Sequence, residues 1–338
     1  MKDQAQAAGL QEKIRKVSPE DFESVALQVF QYQATHNPVY REYLRLLRRD
    51  PASVSQLSEL PFLPISFFKT HTLKSGEWPA GQIFTSSGTS GSVNSRHHIR
   101  DPDFYLENAR RGFTRQYGPV EGYLTLALLP SYLERSGSSL VAMAQDFIRR
   151  SDYPQSGFFL YNTDELLEII ALARKNGWAV LLLGVSFALL DLAEAHPQPM
   201  PGVTIMETGG MKGRRRELTR EELHRRLKAA FEVPVVHSEY GMTELLSQAY
   251  SPGDGRFYPS ETMRVLSREI TDPLSPQSFG RTGALNIIDL ANLHTISFIA
   301  TDDLGRVYDD YSFEVLGRLD ASDVRGCNLM VADVQQQG

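Results

Sequence analysis

The sequence predicts an α/β fold with a strand-rich C-terminal part, and three observations predict it. First, apolar strand-like runs alternate with amphipathic segments through the middle of the chain. Second, helical periodicity stops from about Gly255 onward. Third, residues 1–75 read as helical segments joined by a proline-punctuated connector (Pro51, Pro61, Pro64).

In the first stretch, Ser18-Pro19-Glu20-Asp21 predicts a helix start, with Ser18 as cap and Pro19 at the first helical position. Phe22, Val25, Val29 and Phe30 follow at helical spacing, and Asn37-Pro38 ends that helix and opens another carrying Tyr40, Tyr43, Leu44 and Leu47. In the middle, Tyr123–Leu129 reads as a strand and Ser138–Arg149 as a helix. Thr163 is expected to cap a helix ending at Asn176-Gly177. Trp178–Leu183 is almost continuously apolar, as in a strand buried on both faces. Val203–Glu207 is another short strand, and Thr219 with Glu222 forms a capping-box signature for a helix through Phe231. Toward the end, Arg281–Asp289 and His294–Ala300 read as strands, with turns at Asp302-Asp303 and Gly305.

Composition narrows the function classes. The chain has 338 residues, 41% hydrophobic and 22% charged, with a formal net charge of -6. That balance argues against a nucleic-acid binder, whose surface should be basic. Cys327 is the only cysteine, so no intrachain disulfide can form and a reducing, cytoplasmic setting is expected. The N-terminus lacks the apolar core of a signal peptide. The longest apolar stretch, Ala179–Leu190, is too short for a membrane span, which needs about 20 residues.

Three segments carry candidate chemistry. TSSGTSG (Thr85, Ser86, Ser87, Gly88, Thr89, Ser90, Gly91) follows a short apolar segment, and its amides and hydroxyls suit phosphate oxygens; it lacks the Walker A spacing and lysine. As a sequence it is equally a plain Ser/Gly surface loop. SEYGMTELLSQ (Ser238–Gln248) offers the Tyr240 ring for stacking on a purine, the Thr243 hydroxyl, and in Glu244 hard oxygen ligands for magnesium. TDDLGRV (Thr301–Val307) followed by GRLD (Gly317–Asp320) offers a carboxylate for ribose hydroxyls with an arginine beside it, and otherwise reads as two hairpin turns.

The order of these segments, TSSGTSG, a strand ending in Gly209-Gly210, YGMTE, TDDLGR, then GRLD and Arg325-Gly326, resembles the adenylate-forming superfamily of acyl-CoA synthetases, luciferases and adenylation domains. The resemblance covers roughly residues 82–326. It implies the large N-terminal domain of that superfamily, of layered mixed sheets with helices, and the use of ATP and Mg2+ to activate a carboxylic acid as its acyl-AMP. Thr85–Gly91 would hold the β- and γ-phosphates, and Gly209 and Gly210 would lie beside the adenine. Tyr240, followed by Gly241, would stack on the adenine, Thr243 would contact the α-phosphate, and Glu244 would hold magnesium. Asp303 would bind the ribose hydroxyls with help from Arg318, and Asp320 matches the hinge position. The domain organisation expected is a helical region at 1–75, a core at 76–316, and a hinge remnant and tail at 317–338.

Three departures qualify the resemblance. No lysine follows the loop, where Ser92–His98 reads SVNSRHH, so Arg96 is the only nearby cation in sequence. The hinge segment is short. Only Cys327–Gly338 follow it, so the superfamily's small C-terminal domain is expected to be absent. A short ligase with a cysteine after the hinge resembles the acyl-protein synthetase (LuxE-type) subunit of bacterial fatty acid reductase complexes. That resemblance implies a fatty acid substrate, Cys327 as catalytic acyl acceptor, and an acyl reductase as partner. Two alternatives stay open: transfer to coenzyme A, a carrier protein or an amine, and a non-catalytic nucleotide-binding protein. Lys212–Arg216, His237 and Tyr132–Ser136 are further candidates with bland structural readings.

Overall fold

The computed structural model describes residues 2–86, 93–130, 137–160, 162–209 and 218–319. Its N-terminal part holds helices α1 (Lys2–Arg15), α2 (Phe22–His36), α3 (Pro38–Leu46) and the single turn α4 (Phe67–Thr70). Asn37 does what the sequence leads one to expect, and more. Its Oδ1 accepts the Tyr40 amide at 3.0 Å to cap α3, while its Nδ2 donates to the Thr295 carbonyl at 2.8 Å. One buried side chain thus starts a helix and anchors it to the strand-rich half.

Two helix starts differ from expectation. Helix α2 begins at Phe22, three residues after the expected start at Pro19, although Ser18 Oγ does accept from the Asp21 amide at 3.3 Å, the bond expected of a cap, and donates to the Asp21 carboxylate at 3.1 Å. The next unforeseen cap is Asn162, which precedes α7 (Thr163–Lys175) and points its Oδ1 back to the Leu160 amide at 3.3 Å. At Asn162 the polar side chain satisfies a local turn instead of the helix end. Helix α1 was also not foreseen; it buries Ala7, Leu10 and Ile14 on one face. The proline connector supplies β1 (Leu63–Pro64), which pairs in parallel with β13 (Phe298–Val307).

A twelve-stranded sheet organises the molecule. Its parallel half runs β5 (Gly157–Phe158), β4 (Leu124–Leu128), β6 (Val180–Val185), β7 (Val203–Thr208), β8 (His237–Tyr240). All positions of β4 and β6 are buried, which explains their unbroken apolar sequences. Helices α5 (Pro102–Tyr117), α6 (Ser139–Arg150), α8 (Ser186–Ala195) and α9 (Arg220–Phe231) flank this half. The Ala179–Leu190 stretch is a buried strand running straight into α8, as its length and its Gly184 indicate.

Beyond β8 the pairing turns antiparallel through β9 (Ala249–Ser251) and β10 (Arg256–Pro259). It continues through β14 (Phe313–Arg318), β13, β12 (Thr282–Asp289) and β11 (Met263–Arg268). A separate hairpin pairs β2 (Gln82–Thr85) with β3 (Arg96–Ile99).

The largest correction concerns TDDLGR. The Asp-Asp and Leu-Gly pairs predict turns, but β13 runs through them, with a register shift between Leu304 and Gly305. Gly305 serves close approach: a Cβ there would meet Leu285 side-chain carbons at 2.8 and 2.9 Å, and the Glu314 carbonyl more closely still. Cross-strand packing outweighs local turn propensity. Gly305→Ala is therefore expected to destabilise the protein by about 1–3 kcal/mol. Urea unfolding checks this, and an unchanged midpoint would contradict the close packing.

Candidate active site

Open α/β sheets bind ligands outside the carboxyl ends of their parallel strands. Here that place is the end of β8, where the parallel half meets the antiparallel one. Tyr240 closes β8, and its hydroxyl donates to Asp303 Oδ2 at 2.7 Å; Arg318 Nε donates to Asp303 Oδ1 at 3.2 Å. Asp303 and Arg318 face each other across the β13–β14 pair. Three residues from three separate sequence segments therefore form one chain, tyrosine to carboxylate to guanidinium. Burial, and then the Asp303 charge, push the Tyr240 hydroxyl well above its ordinary pKa, so it stays a donor. Burial pulls the Arg318 pKa down, and the Asp303 ion pair together with Asp302 and Tyr240 raises it above its ordinary value.

Gly241, Thr243 and Glu244 lie in the turn after β8, and this turn is clamped from several sides. Asn292 Nδ2 donates to the Glu244 carbonyl at 2.8 Å. Asp289 accepts from the Leu246 amide at 2.7 Å, the Ser247 amide at 3.1 Å and the Ser247 hydroxyl at 2.5 Å. Burial raises the Asp289 carboxyl to about 6 despite those bonds. His97, on β3, lies 2.8 Å from the Thr243 carbonyl through Nδ1 and 3.0 Å from the Thr295 hydroxyl through Nε2. A carbonyl only accepts, so Nδ1 carries the proton and Nε2 accepts from Thr295. Burial lowers the His97 pKa to about 4, which keeps this neutral tautomer at physiological pH.

His97 also ties the turn to the hydroxyl-rich loop. Thr85 and Arg96 are partners in the β2–β3 register, the Ser86 amide donates to the Ser95 carbonyl at 3.1 Å, and the Ser95 amide donates to Ser86 Oγ at 2.9 Å. The stem of the loop is thus a tight hairpin. Ser87–Gly91 lie outside the described residues, as do Gly210, Lys212–Arg216, Tyr132–Ser136, Asp320 and Cys327. Glu244 is buried, which raises its pKa; the Ser95 hydroxyl and the charges of Arg318 and Lys69 pull in the opposite direction. Ser95 Oγ, itself buried, has no hydrogen bond of normal geometry among the described residues.

Gly209 follows β7 with φ +68°, a left-handed conformation that suits glycine, and its carbonyl accepts from the Ser186 hydroxyl at 2.8 Å. Behind it the buried Glu207 takes Arg220 Nε at 3.1 Å and lies 3.5 Å from His224 Nε2. His237 is satisfied locally, with its Nδ1 3.2 Å from the Tyr117 hydroxyl. Arg96 is exposed at the loop stem.

The structure thus brings together Thr85, Ser86, Tyr240, Gly241, Thr243, Glu244, Asp303 and Arg318. Sequence reasoning passed over Ser95, His97, Asp289 and Asn292. The only signal for His97 was its place on the strand leaving the loop, and Asp289 and Asn292 carried none, because their role is to meet a turn more than 40 residues away in sequence. No group of three or more His, Cys, Asp or Glu side chains among the described residues forms a self-sufficient metal cage. A cavity of about 260 Å³ between Phe62, Arg268 and Phe279 contains none of the residues above.

Comparison with solved structures places this fold. ATP-bound MatB from Rhodopseudomonas palustris matches with a TM-score of 0.52 at 17% identity, over 70% of this chain and 47% of that chain. A 2-hydroxyisobutyryl-CoA ligase in complex with 2-HIB-AMP and CoA, in the thioesterification state, matches with a TM-score of 0.64 at 15% identity, over 90% of this chain and 69% of that chain. The same ligase in an open conformation gives 0.61 at 15% identity, over 88% and 70%. The chain spans about half the length of the MatB structures it matches. No family model and no curated protein matches it. The fold is that of the large N-terminal domain of adenylate-forming enzymes. Among the described residues no helix is long and apolar enough to cross a membrane.

Glu239 adds a pH signature to the site's end of β8. It is buried, accepts from the Thr208 hydroxyl, and burial raises its pKa from 4.5 to about 7. A folded-state pKa above the unfolded one means the folded protein binds the extra proton, so stability falls as pH rises from about 4.5 through about 7. Glu239→Gln removes that slope. The variant should gain on the wild type by up to about 3 kcal/mol between pH 4.5 and pH 7.5, and parallel stability curves from denaturant titrations would contradict this.

Proposed function

We propose that this protein uses ATP and magnesium to activate a carboxylic acid as its acyl-AMP and then passes the acyl group to a thiol. One observation carries the reading: the Tyr240–Asp303–Arg318 chain, the Thr243–Glu244 turn and the stem of the hydroxyl-rich loop converge at one end of the sheet. In this reading Asp303 receives the ribose hydroxyls, Thr243 contacts the α-phosphate, and Thr85–Gly91 wrap the β- and γ-phosphates. Gly209 and Gly210 leave room beside the adenine, and the Tyr240 ring supports it.

A carboxylate oxygen of the acid attacks the α-phosphorus, forming a new P–O bond as the bond to pyrophosphate breaks. Positioning and neutralisation of spreading charge supply most of the catalysis. Glu244 fits a magnesium site of the open kind, in which one carboxylate holds an ion whose other ligands are phosphate oxygens and water. The buried Ser95 hydroxyl beside it, which acts on the Glu244 carboxylate, suits such an arrangement. Bound there, magnesium would neutralise charge on the leaving pyrophosphate. Arg96 supplies a cation at the loop stem where lysine is missing.

The finer reading rests on the sequence. A fatty acid is the substrate, the Cys327 thiolate attacks the acyl carbonyl and expels AMP, and an acyl reductase takes over the thioester. The lone cysteine fits a cytoplasmic enzyme. Transfer to coenzyme A, a carrier protein or an amine is the rival within the class, and nucleotide binding without turnover is the rival outside it.

The chain should catalyse ATP–pyrophosphate exchange with at least one member of a broad acid panel. Glu244→Gln should lower that exchange about 100-fold or more, and Asp303→Ala should raise KM for ATP about tenfold or more. ATP binding without exchange on any acid would leave the non-catalytic reading. Cys327→Ser should keep exchange and abolish hydroxylamine-sensitive acyl labelling of the intact chain in mass spectra. Labelling that persists, or transfer to coenzyme A at full rate, would remove the cysteine relay.

A further inference from the structure

Strand β8 sends its side chains two ways. Tyr240 turns toward Asp303 and the nucleotide end, and Ser238 toward His224 at 3.2 Å. Glu239 turns the other way. Its cross-strand neighbours in register are Thr208 on β7 and Tyr250 on β9, so the three share the face that α5 covers. Tyr250 packs there edge-on against Phe113 and Tyr117 of α5.

This face is polar in the wrong place for a plain hydrophobic core. Tyr250 is 2% exposed, Gln248 4% and Ser260 5%, yet the Tyr250 hydroxyl, Gln248 Oε1 and Ser260 Oγ have no hydrogen-bond partner among the described residues. Among the described residues the carboxyl of Glu239 accepts only from the Thr208 hydroxyl. The groups adjoin one another. A Cβ on Gly241 would press on Glu239 Oε1 and lie 3.6 Å from Gln248 Cγ; one on Gly112 would lie 3.0 Å from Ser260 Cβ and 3.9 Å from a Tyr250 ring carbon. Glycines thus stand at both points where the backbone closes on these groups and leaves no room for a side chain. Buried polar atoms left without partners are costly, and a native structure keeps several together where something else pairs them.

We propose that these side chains form the acyl end of the site and that the acid activated here carries a hydrogen-bond-donating substituent, a hydroxyl or an amine, on its chain. This inference rests on the adenylation reading above and deepens it. The carboxylate of the acid would lie by Thr243, and its chain would run under Gly241 toward Glu239, Gln248 and Tyr250. The substituent donates to the Gln248 and Glu239 oxygens, and the Tyr250 and Ser260 hydroxyls complete the set. An unsubstituted alkyl chain would leave the Gln248, Tyr250 and Ser260 oxygens unpaired, which is how a hydrogen-bonding site rejects an analogue lacking the group.

The test is pyrophosphate exchange by the full-length protein with matched sets of acids: alkanoic acids of several lengths and their hydroxy and amino analogues, substituted at successive carbons. At least one substituted acid should exceed its unsubstituted counterpart about tenfold or more in kcat/KM, and the hydroxy and amino arms tell the two donors apart. Tyr250→Phe and Glu239→Gln, checked for folding by circular dichroism, should each shrink that preference several-fold. Unsubstituted acids exchanging as well as or better than every analogue, or variants that slow both kinds alike, would overturn the proposal while leaving adenylation standing. Exchange with no acid at all would instead bring down the adenylation reading on which the proposal rests.

Discussion

A fully buried carboxylate, Asp289 at the end of β12, accepts two amides and a hydroxyl from the turn that follows β8. Everything proposed for the site depends on that junction. Leu246 and Ser247 lead out of the Thr243–Glu244 turn, so fixing their amides fixes where the Thr243 hydroxyl and the Glu244 carboxylate can go. The network extends inward through Ser247 to Thr262 at 2.8 Å and on to Asn108 of α5 at 3.0 Å, joining both halves of the sheet to a flanking helix. Burying so many polar groups costs stability unless each finds a partner. Here the partners come from segments remote in sequence, so the site forms only when the whole domain does.

His97 makes the second junction, between that turn and the loop hairpin. Its value lies in being uncharged. A protonated ring would have two donors, and Nε2 could no longer accept from Thr295. Burial against Phe68, with ring centroids 5.2 Å apart, keeps the ring neutral. The two junctions bring the stem of the hydroxyl-rich loop and the Glu244 carboxylate to the same end of the sheet.

Most of the parallel half was legible in the sequence. The apolar runs of β4, β6 and β7 and the caps of α3, α6 and α9 are local signals, and the structure follows them with shifts of one or two residues. Legibility failed where two segments negotiate. TDDLGR reads as turn chemistry, yet it is strand because Gly305 lets the β14 backbone and Leu285 close in. Ser18 reads as a helix cap and its hydroxyl does accept the Asp21 amide, yet the regular helix starts only at Phe22.

The sequence by itself determined which residue types stand ready: a hydroxyl-rich loop, a tyrosine followed by a threonine and a glutamate, an aspartate and an arginine in order, and the alternation that makes an α/β core. Those follow from composition and spacing, which are properties of the unfolded chain as much as the folded one. Only the tertiary structure decided that Tyr240, Asp303 and Arg318 join into one chain, that His97 and Asp289 hold the turn, and that Glu239, Gln248 and Tyr250 share a buried face. Each of those depends on strand register across tens of residues, where a shift of one position would turn every side chain to the opposite face.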